Sequence, residues 1–359
     1  MTVVYPGKRK GVVAAPVSKS HLHRLLIAAF LGGRRDIFAP GANDSTDIAA
    51  TRRCLAALDC DPCTNLHPVL SCGESGSTLR FLAPIAAALG FSPVFKKAGR
   101  LKDRPMIEYP ALEPGVHTLA GNVSSQYVTG LLFALPLLDG ESRIEFSSPL
   151  ESRGYVDMTL RVLRQAGIAV GENGDGSYTV PGGQKYGFVD VDHPEGDWSG
   201  AAFWFAMNTL GSEVKVLGLD DESAQPDRAI VELLGKSEID VSGCPDIFPV
   251  LSVARAAKKC VTLFTGTRRL RLKESDRTAA MADVLARFGV KTEMTENTFT
   301  VHGVGASFRG GDFTSFGDHR IAMSIAVGAT IADCPVEIDN TECAAKSYPD
   351  FFRLFDELA

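Results

Sequence analysis

Long apolar runs are missing from this chain, and with them any helical membrane span. The opening Met1-Thr-Val-Val-Tyr-Pro-Gly-Lys8 has no secretory apolar core, so a cytoplasmic protein is expected. Positive net charge is missing too: 37 Lys and Arg stand against 43 Asp and Glu, a balance of −6. No global basic field draws the chain to nucleic acid. Gly-x-Gly-x-x-Gly opening a strand–helix–strand unit is absent, as is Gly-x-x-x-x-Gly-Lys-Ser/Thr, which sets aside dinucleotide and phosphate-loop binding. The seven histidines show no His-x-x-x-His spacing. Cys60-Asp-Pro-Cys63 lacks the second pair that a zinc site needs, so the eight cysteines read as reduced thiols of structural or incidental kind. No metal and no organic cofactor is expected.

What is present is 359 residues, 45% apolar and 22% charged, enough for two domains with separate cores. In an acidic chain of this kind, cations that matter must be concentrated locally. The sharpest concentration is Arg271-Leu-Lys-Glu-Ser-Asp-Arg277, in which five of seven residues are charged. An amphipathic run, Thr278 to Phe288, follows at once. Ser275 is the expected N-cap, with Lys273, Glu274 and Arg277 around the first turn. Cations at a helix N-terminus, already partly positive, stabilise a helix poorly but hold an anion well.

The design recurs. Ser18-Lys19-Ser20, Gly73-Glu-Ser-Gly-Ser-Thr-Leu-Arg80, Asn122-Val-Ser-Ser-Gln126, Asp197-Trp-Ser-Gly200 and Asp318-His-Arg320 each precede an apolar helical run. Lys346-Ser347 precedes Tyr348 to Leu358, with Asp350 placed for a capping box. Any one of these is an ordinary capped helix. Together they read as N-termini gathered on a strongly anionic ligand.

Short strands alternate with these helices. The expected strands are 11–15, 117–120, 142–146, 177–180, 188–192, 213–217, 260–264, 298–302 and 335–339. Strand, capped helix, strand, helix and a closely spaced strand pair recur as a weak repeat, which argues for an α/β repeat architecture.

Read in order, Ser18-Lys-Ser-His-Leu-His-Arg24, Gly73-Glu-Ser-Gly-Ser-Thr-Leu-Arg80, Lys102-Asp-Arg-Pro105, Ser124-Ser-Gln126, Lys273-Glu-Ser-Asp-Arg277, Asp318-His-Arg320 and Lys346-Ser-Tyr-Pro-Asp350 span the chain from end to end. The chain resembles the EPSP synthase (3-phosphoshikimate 1-carboxyvinyltransferase) family of enolpyruvyl transferases. The resemblance implies a two-domain inside-out α/β barrel, each domain built from three βαβαββ-type repeats, with the active site in the interdomain cleft. The implied domains are residues 1–16 plus 196–359, and 17–195, with a hinge near 15–18 and 193–198.

The implied reaction transfers the enolpyruvyl group of phosphoenolpyruvate to the 5-hydroxyl of shikimate 3-phosphate and releases phosphate. By resemblance, shikimate 3-phosphate is held by Ser20, Arg24, Ser124, Ser125, Ser152, Tyr155, Asp246 and Lys273. Phosphoenolpyruvate is held by Lys19, Gly76, Arg104, Gln126, Arg277, Arg320 and Lys346. Arginine forks suit carboxylates and phosphates, lysine gives a mobile charge and a proton, and Gly76 lets the backbone approach a ligand. Asp246, Glu274, Lys19 and His319 are the catalytic candidates. Taken alone, Asp246 reads as a helix N-cap and Glu274 as a charge partner of Lys273 or Arg277. The division of acid and base among them stays open. The implied partners are the two small anions, with no nucleic acid or membrane, and a monomer is expected.

Glu74, Ser77, His23 and Arg269 depart from the family's usual Asn, Thr, Asn and Asn. The chain also looks short between Arg24 and Gly73 and between Tyr155 and Asp246. Two other readings compete. One is the UDP-N-acetylglucosamine enolpyruvyl transferase, for which Lys-Asn would stand at Lys19-Ser20. The other is a non-catalytic anion-binding protein on the same scaffold.

Overall fold

The structure is a computed structural model that describes residues 1–41, 44–305 and 307–359. The chain divides into two compact units, one formed by Met1–Ser18 with Glu195–Ala359, the other by Lys19–Pro194.

Each unit contains one full βαβαββ repeat. In the first unit, Glu238–Asp240 pairs in parallel with Val261–Thr265, which pairs antiparallel with Thr298–His302, and Lys291–Met294 lies outermost. Helices Phe248–Ala256 and Arg277–Arg287 make the connections. In the second unit, Val116–Ala120, Ser142–Ser148, Tyr178–Val180 and Gly171–Glu172 repeat the same order and directions. There the connecting helices are Ser125–Ala134 and Arg153–Gln165. The sheets are mixed, as expected of this α/β class.

The other repeats are abbreviated. Lys10–Ala14 pairs in parallel with Glu213–Leu217, served by helix Trp198–Thr209. Gly311–Phe313 and Val336–Ile338 flank helix His319–Ala329, and Thr2–Val4 closes that sheet antiparallel. In the second unit, Val69–Gly73 and Val94–Lys97 flank helix Gly76–Ala88. Between helices Lys19–Leu31 and Thr46–Ala57 the described residues hold no strand. The shortness read between Arg24 and Gly73 falls here.

Composition decides which helices go inside. All eleven residues of His319–Ala329 and all nine of Phe248–Ala256 are buried. A helix apolar on every side has no face to offer water and becomes the centre of its unit. Phe203, Trp204, Phe248, Phe264, Phe288 and Phe299 build the first core, and Leu26, Phe81, Leu132, Phe133 and Leu163 the second. By contrast, Arg153–Gln165 and Arg277–Arg287 bury one stripe each. Gly130 lets two inner helices touch: a Cβ there would stand 2.5 Å from the Arg80 carbonyl oxygen and 2.8 Å from Pro84.

Three local expectations are corrected. Residues 188–192 form no strand, although Val189 and Val191 turn inward and Phe188 and Asp190 outward. Side chains satisfy this backbone instead of a neighbouring strand. Asp190 Oδ1 accepts from Asp192 N at 2.8 Å, and the Val189 carbonyl accepts from Arg34 at 3.3 Å. At the C-terminus, the helix is Phe351–Glu357, and Asp350 makes no side-chain cap. Pro349 disfavours helical backbone at Tyr348, so the helix starts after it, and Asp350 bonds Arg353 at 3.3 Å. Third, the N-cap of Arg277–Arg287 is Asp276, which accepts from Thr278 N and Ala279 N, both at 3.1 Å. Ser275 Oγ instead donates to Asp318 at 3.0 Å.

Candidate active site

In the first unit, cations and carboxylates meet where helices His319–Ala329 and Arg277–Arg287 begin. Arg277 is the hub. Its guanidinium donates to Asp318 at 2.9 Å, to Asp246 at 2.8 Å and to Glu274 at 3.0 Å, and its side chain is 1% exposed. Asp246 also receives Lys273 at 3.3 Å and Arg320 at 3.2 Å. Burial works against its charge, yet Arg320, Lys273 and Arg277 together hold its carboxyl well below the usual range. Burial lowers the Lys273 pKa. The Arg277 pKa rises because Asp318, Asp246 and Glu274 outweigh burial.

The helix after Asp246 is capped by Ile247 without a side-chain bond, so Asp246 spends its oxygens on cations and not on capping. Asp318 does cap, accepting from Arg320 N at 3.0 Å while it faces Arg277. His319 is buried beside it, with Nδ1 3.7 Å from Asp318 Oδ1. Lys346 ends the 3-10 turn Thr341–Lys346 and is buried.

In the second unit, Gly76 opens its helix beneath two guanidinium groups. A Cβ at Gly76 would stand 2.8 Å from Arg80 Nη1 and 3.2 Å from Arg104 Nη1. Any other residue would fill the space where backbone and arginines face each other. Arg80 donates to Gln126 Oε1 at 2.7 Å and to the Pro105 carbonyl at 3.0 Å, and Gln126 donates to Ser77 Oγ at 3.0 Å. Ser124 caps helix Ser125–Ala134 by accepting from Gln126 N. The structure therefore brings together Gly76, Arg104, Gln126 and Ser77.

A second group in this unit lies on helix Lys19–Leu31. Lys19 Nζ sits 2.9 Å from Asp47 Oδ2, with both side chains largely buried. Arg24 donates to Thr159 Oγ1 and to the Tyr155 carbonyl, both at 2.8 Å, and to the Ser20 carbonyl. Burial pulls its pKa down to about 9.

Backbone strain marks the same places. Among the described residues, the non-glycine residues with positive φ are Ser152 (56°), Phe316 (54°) and Asn340 (39°). Ser152 stands just before helix Arg153–Gln165, Phe316 just before Asp318-His-Arg320, and Asn340 just before Thr341–Lys346. Such conformations persist only where surrounding structure enforces them.

Sequence reasoning missed Asp318 and Asp47 as buried counter-charges. Asp318 was visible only as the first letter of a motif, and no sequence signal singled out Asp47, which the structure places in the first turn of helix Thr46–Ala57. Glu74 lies close to the turn that carries Arg100. A Cβ on Gly99 would stand 2.1 Å from Glu74 Oε1, so its carboxylate lies against the turn Gly99–Lys102. Among the described residues, no helix is long and apolar enough to cross a membrane, and no three His, Cys, Asp or Glu side chains gather as a metal site.

The fold is that of the enolpyruvyl transferases. An EPSP synthase structure from Acinetobacter baumannii matches with TM-score 0.75 at 23% identity, covering 99% of this chain and 98% of that one. The enolpyruvyl transferase NikO from Streptomyces tendae matches with TM-score 0.69 at 14% identity, covering 99% and 97%. By sequence, the chain matches the EPSP synthase (3-phosphoshikimate 1-carboxyvinyltransferase) family over residues 108–241 and 234–355. It is 36% identical to the 3-phosphoshikimate 1-carboxyvinyltransferase of Clostridium kluyveri, covering 99% of this chain and 96% of that protein, and 32% identical to that of Clostridioides difficile over the same shares. The chain belongs to the EPSP synthase family. The Clostridium kluyveri alignment runs over 414 residues, 55 more than this chain has, which fits its abbreviated repeats.

Proposed function

We propose that this chain transfers the enolpyruvyl group of phosphoenolpyruvate to the 5-hydroxyl of shikimate 3-phosphate, giving 5-enolpyruvylshikimate 3-phosphate and phosphate. The observation that carries the reading is Asp246, a carboxylate kept ionised by Lys273, Arg277 and Arg320 on the buried helix starts of one unit. Its charged oxygens can accept a hydrogen bond from a substrate hydroxyl, and their affinity for the proton rises once the cations around them turn to the anionic groups of a substrate.

Phosphoenolpyruvate is assigned to Lys19, Gly76, Arg104, Gln126, Arg277, Arg320 and Lys346. Shikimate 3-phosphate is assigned to Ser20, Arg24, Ser124, Ser125, Ser152, Tyr155, Asp246 and Lys273. In this scheme a proton reaches the methylene carbon of phosphoenolpyruvate and the acceptor oxygen bonds to the adjacent carbon. Phosphate then leaves as the methylene proton is taken back. Lys19, Asp246 and Glu274 are the groups that move these protons, with His319 packed beside Asp318. The two compact units are the two domains of the scheme, with the hinge near residues 15–18 and 193–198. The protein acts in the cytoplasm as a monomer, on small anions alone.

The test is product identification. Protein incubated with phosphoenolpyruvate and shikimate 3-phosphate is expected to give one new enol ether at the 5-oxygen, seen by proton NMR, with inorganic phosphate in equal amount. Phosphate without an enol ether would reduce the chain to a phosphatase and sink the proposal.

A further inference from the structure

Half of the eight cysteines lie between positions 54 and 72, and the active-site reading uses none of them. Cys60 and Cys63 are exposed on the turn after helix Thr46–Ala57. Cys54 and Cys72 are fully buried, and their sulfur atoms lie 4.0 Å apart, close to van der Waals contact. Cys54 is on the helix Thr46–Ala57, and Cys72 is on the strand Val69–Gly73.

We propose that Cys54 and Cys72 form a reversible disulfide, and that this modification site controls the substrate-binding groups built on the same two elements. A disulfide bond of about 2.05 Å requires the sulfurs to approach by roughly 2 Å. That approach must be taken up by the helix, the strand or both. Asp47, Thr51 and Cys54 share the buried face of the helix. Asp47 holds Lys19 at 2.9 Å. Thr51 bonds Thr78 Oγ1 at 2.7 Å, and Thr78 bonds Ser75 Oγ at 2.7 Å. Ser75 caps the helix that Gly76 opens. Cys72 lies only three residues before that cap. A close-packed interior passes such a shift on and does not absorb it.

The chemistry balances with a low-molecular-weight disulfide as oxidant. One protein thiolate attacks it and releases one small thiol. The second protein thiolate then attacks the mixed disulfide and releases the other. The two cysteines lose two electrons and two protons, which end in the S–H bonds of the two small thiols. Burial makes the first attack slow, because it waits for local opening, but the product is then shielded from reduction.

The mapping arm of the test is independent of the reaction assigned above; the activity arm rests on it. The full chain is incubated with oxidised glutathione, its free thiols are alkylated after unfolding, and its peptides are mapped by mass spectrometry. A peptide joined through Cys54 and Cys72 is expected, released by dithiothreitol and still formed when Cys60 and Cys63 are both alanine. The cross-linked protein is expected to lose turnover about tenfold or more, since ~1 Å at a binding group can cost up to about 10²-fold. Reduction restores it, and Cys54→Ala and Cys72→Ala show no response to the oxidant. Oxidation confined to Cys60 and Cys63, or a Cys54–Cys72 cross-link that leaves phosphoenolpyruvate kinetics unchanged, would overturn the proposal. Absence of basal turnover with a mapped cross-link would count against the assigned reaction and not against the thiol pair.

Discussion

Asp318 Oδ2 accepts from Arg277 Nε at 2.9 Å, with the two side chains 0% and 1% exposed. Removing the carboxylate leaves a buried guanidinium short of its most sheltered partner. It also takes charge from the cap of helix His319–Ala329. Asp318→Ala is expected to cost about 3–5 kcal/mol, the usual result of breaking a buried pair from one side. Asp318→Asn keeps an oxygen for the cap and should cost less. Urea unfolding of the two variants checks the order, and equal costs would place the whole effect in the ion pair with Arg277.

Asp246 and Arg104 separate chemistry from binding. Asp246→Asn removes the proton acceptor and is expected to lower turnover by about 10²–10⁴-fold. Arg104→Ala removes a guanidinium facing the Gly76 backbone and should chiefly raise KM for phosphoenolpyruvate. Glu274→Gln should depress turnover while shikimate 3-phosphate binding stays nearly intact, because Arg277 keeps Asp318 and Asp246. Steady-state kinetics with calorimetric binding of shikimate 3-phosphate distinguish these outcomes.

His23 gives the second unit a pH dependence. It is fully buried, with Nδ1 2.8 Å from Thr51 Oγ1 and its ring edge-on to Phe81. Burial, aided by Lys19 and Arg24, pulls its pKa well below the ordinary 6.5. The unfolded chain therefore binds a proton near pH 6.5 that the folded chain refuses. Stability should fall as pH drops below about 6.5, by up to about 1.4 kcal/mol per pH unit from this group, until the folded value is reached. Urea unfolding between pH 7.5 and 5 should show the slope, and His23→Asn should flatten it.

Glu74 was the departure from the family that most endangered substrate binding. Its carboxylate lies against Gly99, which has φ 48° and opens the turn that carries Arg100. Glu74→Asn should therefore preserve turnover, with affinity for phosphoenolpyruvate equal or somewhat tighter. Gly99→Ala meets both the left-handed backbone and the carboxylate, and should lower stability by about 1 kcal/mol or more. Turnover lost in Glu74→Asn with circular dichroism unchanged would place Glu74 in the chemistry.

The sequence made the cations legible because helix starts have local signatures: a cap residue, a basic residue, then an apolar run. It made the α/β repeat legible through the same spacing. Buried counter-charges were not legible. Asp318 and Asp47 look like any acidic residue near a helix start, and only tertiary packing brings Asp318 to Arg277 across 41 positions, or Asp47 to Lys19 across 28. The strand expected at 188–192 failed for the same reason. Alternation was present, but a ladder needs a neighbour that no local pattern specifies. The contact between Cys54 and Cys72 was hidden behind the more conspicuous Cys60-Asp-Pro-Cys63.

The most direct measurement of the central claim is phosphate release from phosphoenolpyruvate, with each acceptor supplied in turn. Shikimate 3-phosphate is expected to support rapid release that is lost in Asp246→Asn, while UDP-N-acetylglucosamine supports none. Release with UDP-N-acetylglucosamine alone, or with neither acceptor while both anions still bind, would contradict the account.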